Sequence, residues 1–155
     1  ADGLNNLDEE TLRERLGIAV ITPHPRELSR LCGQSVTEIQ ESRIATVRRL
    51  SQEWNVVLLL KGAYTVIGSP DAKIFINPTG NSALATAGSG DVLSGFIGGF
   101  LAQGLSPLNA ALAGAYLHGL AADCFIKKTE SNYMVASDLF EGLRLAINAV
   151  KPQKS

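Results

Sequence analysis

Gly88-Ser89-Gly90-Asp91 is the part of this chain best suited to chemistry. Small residues lead into it from Asn77, and an uncharged, helix-length segment leads away from Val92. Glycines leave no Cβ in the path of an approaching anion, and a helix N-terminus offers unpaired N–H groups and partial positive charge. Asp91 at that mouth is placed to take a proton from a hydroxyl, whose oxygen then attacks a terminal phosphate. An acid in a first helical turn also serves as a cap, so the tetrapeptide alone leaves both roles open.

Two further turns carry reactive side chains. Lys61-Gly62-Ala63-Tyr64-Thr65 follows the apolar run Val56–Leu60. In open α/β sheets ligands bind beyond the carboxyl ends of strands. There Lys61 can meet a phosphate and Thr65 can hydrogen-bond one; a lysine in that place is otherwise a solvated strand end. Thr22-Pro-His-Pro-Arg-Glu27 is another strand-to-helix turn, with His24 held between two prolines that restrict the backbone. His24 is a candidate substrate contact or an ordinary turn residue. Glu27, in the first helical turn, is a candidate for holding a metal through water. His118 lies inside an apolar helix and reads as a satisfied core histidine.

The elements that position these turns follow from the patterning. A helix is expected over Asp8–Leu16, closed by Gly17, then a buried strand over Ile18–Thr22. Pro25 suits the first position of a helix over Arg26–Cys32 that Gly33 ends. Ser35 and Glu38 have capping-box spacing and start a helix predicted to reach about Trp54, with Ile39, Ile44, Val47 and Leu50 on its apolar face. Val56–Leu60 is apolar throughout, as a central strand of a parallel sheet would be. Tyr64–Gly68 and Lys73–Asn77 flank Ser69-Pro-Asp-Ala as a hairpin. Core helices are expected near 91–102 and 106–128, and a last helix from Ser137 to about Lys151. Alternating strands and helices indicate a layered α/β domain over 1–151, followed by a polar tail at 152–155.

Composition removes several classes of function. The chain has 155 residues and a net charge of −1, which gives no reason to expect nucleic acid or an anionic membrane as partner. The segment from Val92 to Ala122 is uncharged, but Gln103-Gly-Leu-Ser-Pro107 divides it into halves shorter than the roughly 20 residues a span needs. Cys32 and Cys124 have no metal-ligand spacing and read as free thiols in a reducing, cytoplasmic compartment. No signal peptide is recognisable. The opening Ala1-Asp-Gly-Leu-Asn5 lacks an initiator Met, so a fragment or processed piece is expected, with upstream strands absent.

Taken in order, Ala1–Asn5, TPHPRE at 22–27, LKGAYTVI at 60–67 and NPTGNSALATAGSGDVLSGFIGGFLAQG at 77–104 resemble the ADP/ATP-dependent NAD(P)H-hydrate dehydratase family, within the ribokinase-like superfamily. The resemblance covers nearly the whole chain. It implies a ribokinase-like fold, with helices packed on a mostly parallel sheet. It implies that hydrated NADH or NADPH is phosphorylated on its C6 hydroxyl from ADP or ATP, and that phosphate is then eliminated. By the same resemblance Asp91 meets the hydroxyl as base and His24 contacts the hydrated dinucleotide. Gly90 and Lys61, Gly62, Ala63, Tyr64 and Thr65 bind the adenine nucleotide, with Gly88 and Ser89 in the same loop. Glu27 matches the carboxylate that orders Mg²⁺ through water, and a homo-oligomer is implied.

The chain departs from the family pattern at Arg26, Ala83 and Ala87, where glycine is common; alanine keeps a tight loop only if φ is negative there. Two other readings are compatible with these residues. One is a ribokinase-like kinase of the hydroxyethylthiazole or hydroxymethylpyrimidine type, and the other a non-catalytic nucleotide-binding module.

Overall fold

Strand β2, Val57–Leu60, is buried along its whole length, which requires packed elements on both of its faces. The computed structural model describes Leu4, residues 7–14 and residues 19–150. In it β2 lies within a four-stranded sheet ordered β1 (Val20–Ile21), β2, β3 (Val66–Gly68) and β4 (Ile74–Ile76). β1 runs parallel to β2 with Val20 opposite Val57. β3 is antiparallel to both β2 and β4, with Ile67 opposite Leu59 and Phe75. The parallel component of the expected sheet is thus the β1–β2 pair. The predicted hairpin extends it, with the turn at Ser69–Ala72.

Period-two alternation divides the apolar strand residues between two cores. Leu58, Leu60 and Val66 turn towards Leu28, Leu31, Ile39, Val47, Leu50 and Trp54. These come from α2 (Pro25–Cys32), α3 (Val36–Glu41), α4 (Arg43–Glu53) and the residue that follows it. Val57, Leu59 and Ile67 face Leu93, Ile97, Ala110, Ala111 and Ala115 on the other side. Those belong to α5 (Ser89–Ala102) and α6 (Pro107–Thr129). Behind them α7 (Asp138–Val150) packs on α6 through Ala121, Ala122, Phe125 and Leu139. The result is the helix–sheet–helix layering the sequence pattern implied.

Several expectations are refined. The long helix from Ser35 to Trp54 is two helices broken at Ser42, whose backbone stands at φ −130°, ψ 35°. Its hydroxyl and N–H both donate to the Glu38 carbonyl, at 2.7 and 3.1 Å. A serine that satisfies its own turn competes with helix propagation. Past the break, Ile44 is exposed and leaves the apolar face. Helix α5 is buried only through Leu93 and Ile97, so it is one-sided rather than enclosed. No helix among the described residues is long and apolar enough to cross a membrane. The first predicted helix appears as Glu9–Glu14, here α1. Its end with Gly17, the Ile18 end of the first strand, Lys151 and the 152–155 tail lie outside the described residues, as does most of the Ala1–Asn5 motif.

Candidate functional site

Backbone hydrogen bonds bring the three separated turns together. The Lys61 N–H donates to the Pro23 carbonyl at 2.9 Å, fastening the end of β2 to the TPHPRE turn. The Asn77 N–H donates to the Thr65 carbonyl at 2.9 Å, so the hairpin returns the chain to the same edge. Beyond it the 77–88 loop folds over α6 and enters α5, and the Ser89 hydroxyl donates back to the Leu84 carbonyl at 2.7 Å. These segments enclose a cleft of about 750 Å³, within the size range of small-molecule sites. It is lined by His24, Lys61–Thr65, Asn77–Ser82, Ser89, Gly90 and His118, among others.

Helix α5 opens onto this cleft. Gly88 caps it in the left-handed region at φ 83°, a conformation that costs any residue with a Cβ. No backbone carbonyl among the described residues accepts from the Gly90 N–H. A Cβ on Gly90 would lie 3.1 Å from the Lys61 ammonium, so the bare glycine is what lets that cation approach the helix mouth. An N–H, the helix dipole and an ammonium therefore converge on one point, as anion binding requires.

Lys61 is also fixed from below. Its Nζ stands 3.7 Å from Glu27 Oε2. Glu27 is buried and completes a capping box: its carboxylate accepts from the His24 N–H at 2.7 Å, while His24 Nδ1 accepts from the Glu27 N–H at 3.2 Å. Burial alone would raise the Glu27 pKa. The His24 N–H and the Lys61 charge are among the contacts that outweigh it, and the carboxyl titrates below its ordinary range. The His24–Glu27 spacing is that of a capping box, but histidine is not among the usual caps, so the pattern does not announce itself in the sequence.

The predicted residues are thus brought together unequally. His24, Lys61, Gly62, Ala63, Tyr64, Thr65, Ser89 and Gly90 share one cleft. Gly88 shapes the entrance from behind as the cap of α5. Asp91 occupies the first turn of α5, one residue beyond Gly90, but it is exposed and not part of the cleft lining. Ala83 and Ala87 both avoid positive φ, which satisfies the condition on the alanine replacements.

Two contributions escaped sequence reasoning. Asn77–Asn81, singled out in the sequence only as the lead-in to Gly88–Asp91 and as part of the 77–104 motif, also lines the cleft, a role not assigned to it there. His118 is buried, as expected of a core histidine, but it also faces the cleft and its Nε2 bonds the Ser89 carbonyl at 2.9 Å. Burial lowers its pKa despite that bond, with nearby Lys61 acting in the same direction. Because the carbonyl oxygen can only accept, Nε2 carries the proton and donates.

No group of three or more His, Cys, Asp or Glu among the described residues could hold a metal ion by side chains alone. Glu27, the predicted metal contact, is already engaged by His24 and Lys61. A carboxylate is the ligand type that suits a hard cation.

The sheet, its flanking helices and a cleft between a strand end and a helix N-terminus define a ribokinase-like α/β fold. The chain belongs to the NAD(P)H-hydrate dehydratase family, whose profile (Carb_kinase) matches residues 1–144. It is 50% identical over 145 residues to the bifunctional NAD(P)H-hydrate repair enzyme Nnr of Moorella thermoacetica, covering 92% of this chain and 27% of that one. It is 49% identical over 127 residues to the ADP-dependent (S)-NAD(P)H-hydrate dehydratase of Neisseria meningitidis serogroup B, covering 79% and 43%. The crystal structure of the Bacillus subtilis ADP/ATP-dependent NAD(P)H-hydrate dehydratase with ATP and Mg²⁺ superposes with a TM-score of 0.80 at 35% identity. That match covers 89% of this chain and 50% of the other. The chain thus spans half or less of the length of these relatives.

Proposed function

We propose that this chain carries the nucleotide-binding and phosphoryl-transfer site of an ADP- or ATP-dependent NAD(P)H-hydrate dehydratase, a hydro-lyase that repairs hydrated NADH and NADPH. The observation that carries the reading is the convergence of the Lys61 ammonium on the bare backbone of Gly90, inside a cleft that also holds His24 and Lys61–Thr65.

In this reading the nucleotide's terminal phosphate rests at the mouth of α5, held by the Gly90 N–H and Lys61. Lys61–Thr65 and Asn77–Ser82 flank the rest of the nucleotide. Asp91, exposed just outside, meets the C6 hydroxyl of the hydrated ring and accepts its proton as the oxygen attacks phosphorus. ADP leaves as AMP, or ATP as ADP. Phosphate then departs from C6 as a proton leaves the neighbouring ring carbon, restoring the double bond. His24, held by its own capping box, contacts the dinucleotide. Glu27 would hold a Mg²⁺ ion through water, and the ion would supply neutralisation of the phosphate charge.

The reading places the protein in the cytoplasm and includes self-assembly; exposed Phe140, Ile147 and Val150 along α7 are apolar surface that an assembly would cover. The test is direct. Hydrated NADH is supplied with ADP, and recovery of reduced-nicotinamide absorbance is followed together with free phosphate. A stable phosphorylated product without recovered absorbance would overturn the reading in favour of a kinase.

A further inference from the structure

Asp123 lies on α6 outside the cleft lining, and no role described above uses it. Its two oxygens nevertheless accept from the far side of the cleft wall: Oδ2 from the Gly80 N–H at 2.8 Å and Oδ1 from Asn81 Nδ2 at 2.8 Å. Asn81 in turn uses Oδ1 to cap the turn Ser82–Leu84, accepting from the Ala83 N–H at 3.0 Å. The carbonyl of Leu84, at the end of that turn, receives the Ser89 hydroxyl. Three hydrogen bonds, joined through the backbone of the Ser82–Leu84 turn, thus connect Asp123 with Ser89, the first residue of α5.

Neighbouring contacts set the same loop on α6. The Thr79 hydroxyl lies 2.8 Å from the Tyr116 carbonyl, and Asn77 Nδ2 donates to the Ala115 carbonyl at 3.2 Å. Gly119 allows the approach, since a Cβ there would stand 2.3 Å from Thr79 Oγ1. Among these contacts the Asp123 pair alone involves an ionised partner, and charge-assisted hydrogen bonds are the stronger kind.

We propose that Asp123 is a positioning residue: it holds the 77–84 loop against α6 and thereby shapes the nucleotide side of the cleft. The role rests on the nucleotide-binding reading above. Its chemistry makes a specific demand, that an acceptor-only group at 123 face a donor at 81.

The test uses the full 155-residue chain, with ADP binding measured by calorimetry and amide exchange measured over 79–84. Asp123→Asn sets an amide donor against Asn81 Nδ2, and should bind ADP about ten-fold more weakly with faster exchange in that loop. Adding Asn81→Asp restores complementarity: the amide introduced at 123 donates to the carboxylate introduced at 81, which still accepts from the Ala83 N–H. The double variant should recover slow amide exchange over 79–84, the readout of loop position that does not depend on the charge moved into the cleft wall. Wild-type affinity in Asp123→Asn, or no recovery in the double variant, overturns the role. Global unfolding of Asp123→Asn overturns it too, by making Asp123 a determinant of the whole fold. If the parent chain itself fails to bind ADP, the nucleotide reading falls and this role with it; if the parent binds and Asp123→Asn equals it, only the role of Asp123 falls.

Discussion

The Lys61 ammonium stands between Glu27, 3.7 Å away on one side, and the position where a Gly90 Cβ would lie, 3.1 Å away on the other. One strand-end cation is therefore shared between a buried carboxylate and a helix mouth. The carboxylate belongs to the capping box of α2, so the cation's location is tied to the start of a helix on the opposite core. This coupling gives the Glu27 charge a stability role with a defined pH window. Its folded pKa is depressed, so its contribution is present above its ordinary 4.5 and is lost as pH falls through the folded value. Glu27→Gln keeps a capping-box side chain but removes the titration. Denaturant unfolding across that acid range should show a shallower loss of stability in the variant than in the parent.

Removing the cation itself tests the proposed anion site. Lys61→Met keeps the apolar stem and deletes the ammonium, leaving the Gly90 N–H and the helix dipole as the remaining attraction. ADP binding should weaken about ten- to one-hundred-fold, the range of a charged hydrogen bond. AMP, which lacks the terminal phosphate, should be affected less. Calorimetry on both nucleotides reads the difference, and equal losses would place Lys61 away from that phosphate.

Most of this architecture was legible in the chain because its signals are local. Val56–Leu60 is apolar at every position and proved buried on both faces, and Gly33 and Pro25 bound α2 as their backbone preferences require. What was not legible depends on partners distant in sequence or on hydrogen bonds that compete with the helix. The break at Ser42, where the hydroxyl and the N–H share the Glu38 carbonyl, is invisible to periodicity. His118 looked like a core residue and is one, but its contact with Ser89 links positions 29 apart. The exposure of Asp91 beside the cleft, rather than within it, follows from helix phase after Gly88 and could not be read from the motif alone.

Packing between α6 and α7 provides a test of the fold separate from the site. Gly142 faces α6 so closely that a Cβ would lie 2.2 Å from the Ala121 carbonyl oxygen. Neither backbone can yield without moving a helix. Gly142→Ala should destabilise by about 1–3 kcal/mol or more, despite the better helix propensity of alanine. Urea unfolding gives the value; a stabilised variant would mean the two helices are further apart than described.

His118 supplies a second pH window, which opens at a higher pH than that of Glu27. Burial depresses its folded pKa, so the unfolded chain takes up a proton near the ordinary 6.5 while the native ring stays neutral. Stability should therefore fall as pH drops below 6.5 and level off beneath the folded pKa. His118→Gln retains an N–H able to reach the Ser89 carbonyl and cannot titrate. Its unfolding midpoint should be flat through the interval in which the parent declines, and a parallel decline in both would assign the effect elsewhere.

Asp91 is the residue on which chemistry and binding separate. It lies in the first turn of α5 but outside the cleft lining, so in the proposed reaction its carboxylate touches the acceptor side and leaves the nucleotide side alone. Asp91→Asn preserves size and the capability of a first-turn polar group while deleting the base. Turnover of hydrated NADH by an active preparation should fall about 10²–10⁴-fold, the usual contribution of a positioned general base. ADP affinity should stay within about three-fold, because that change removes no contact to phosphate and only a modest helix-terminal charge effect. A loss of ADP affinity as large as the loss of turnover would instead place the carboxylate in the nucleotide pocket. Unchanged turnover would require a different group to take the proton.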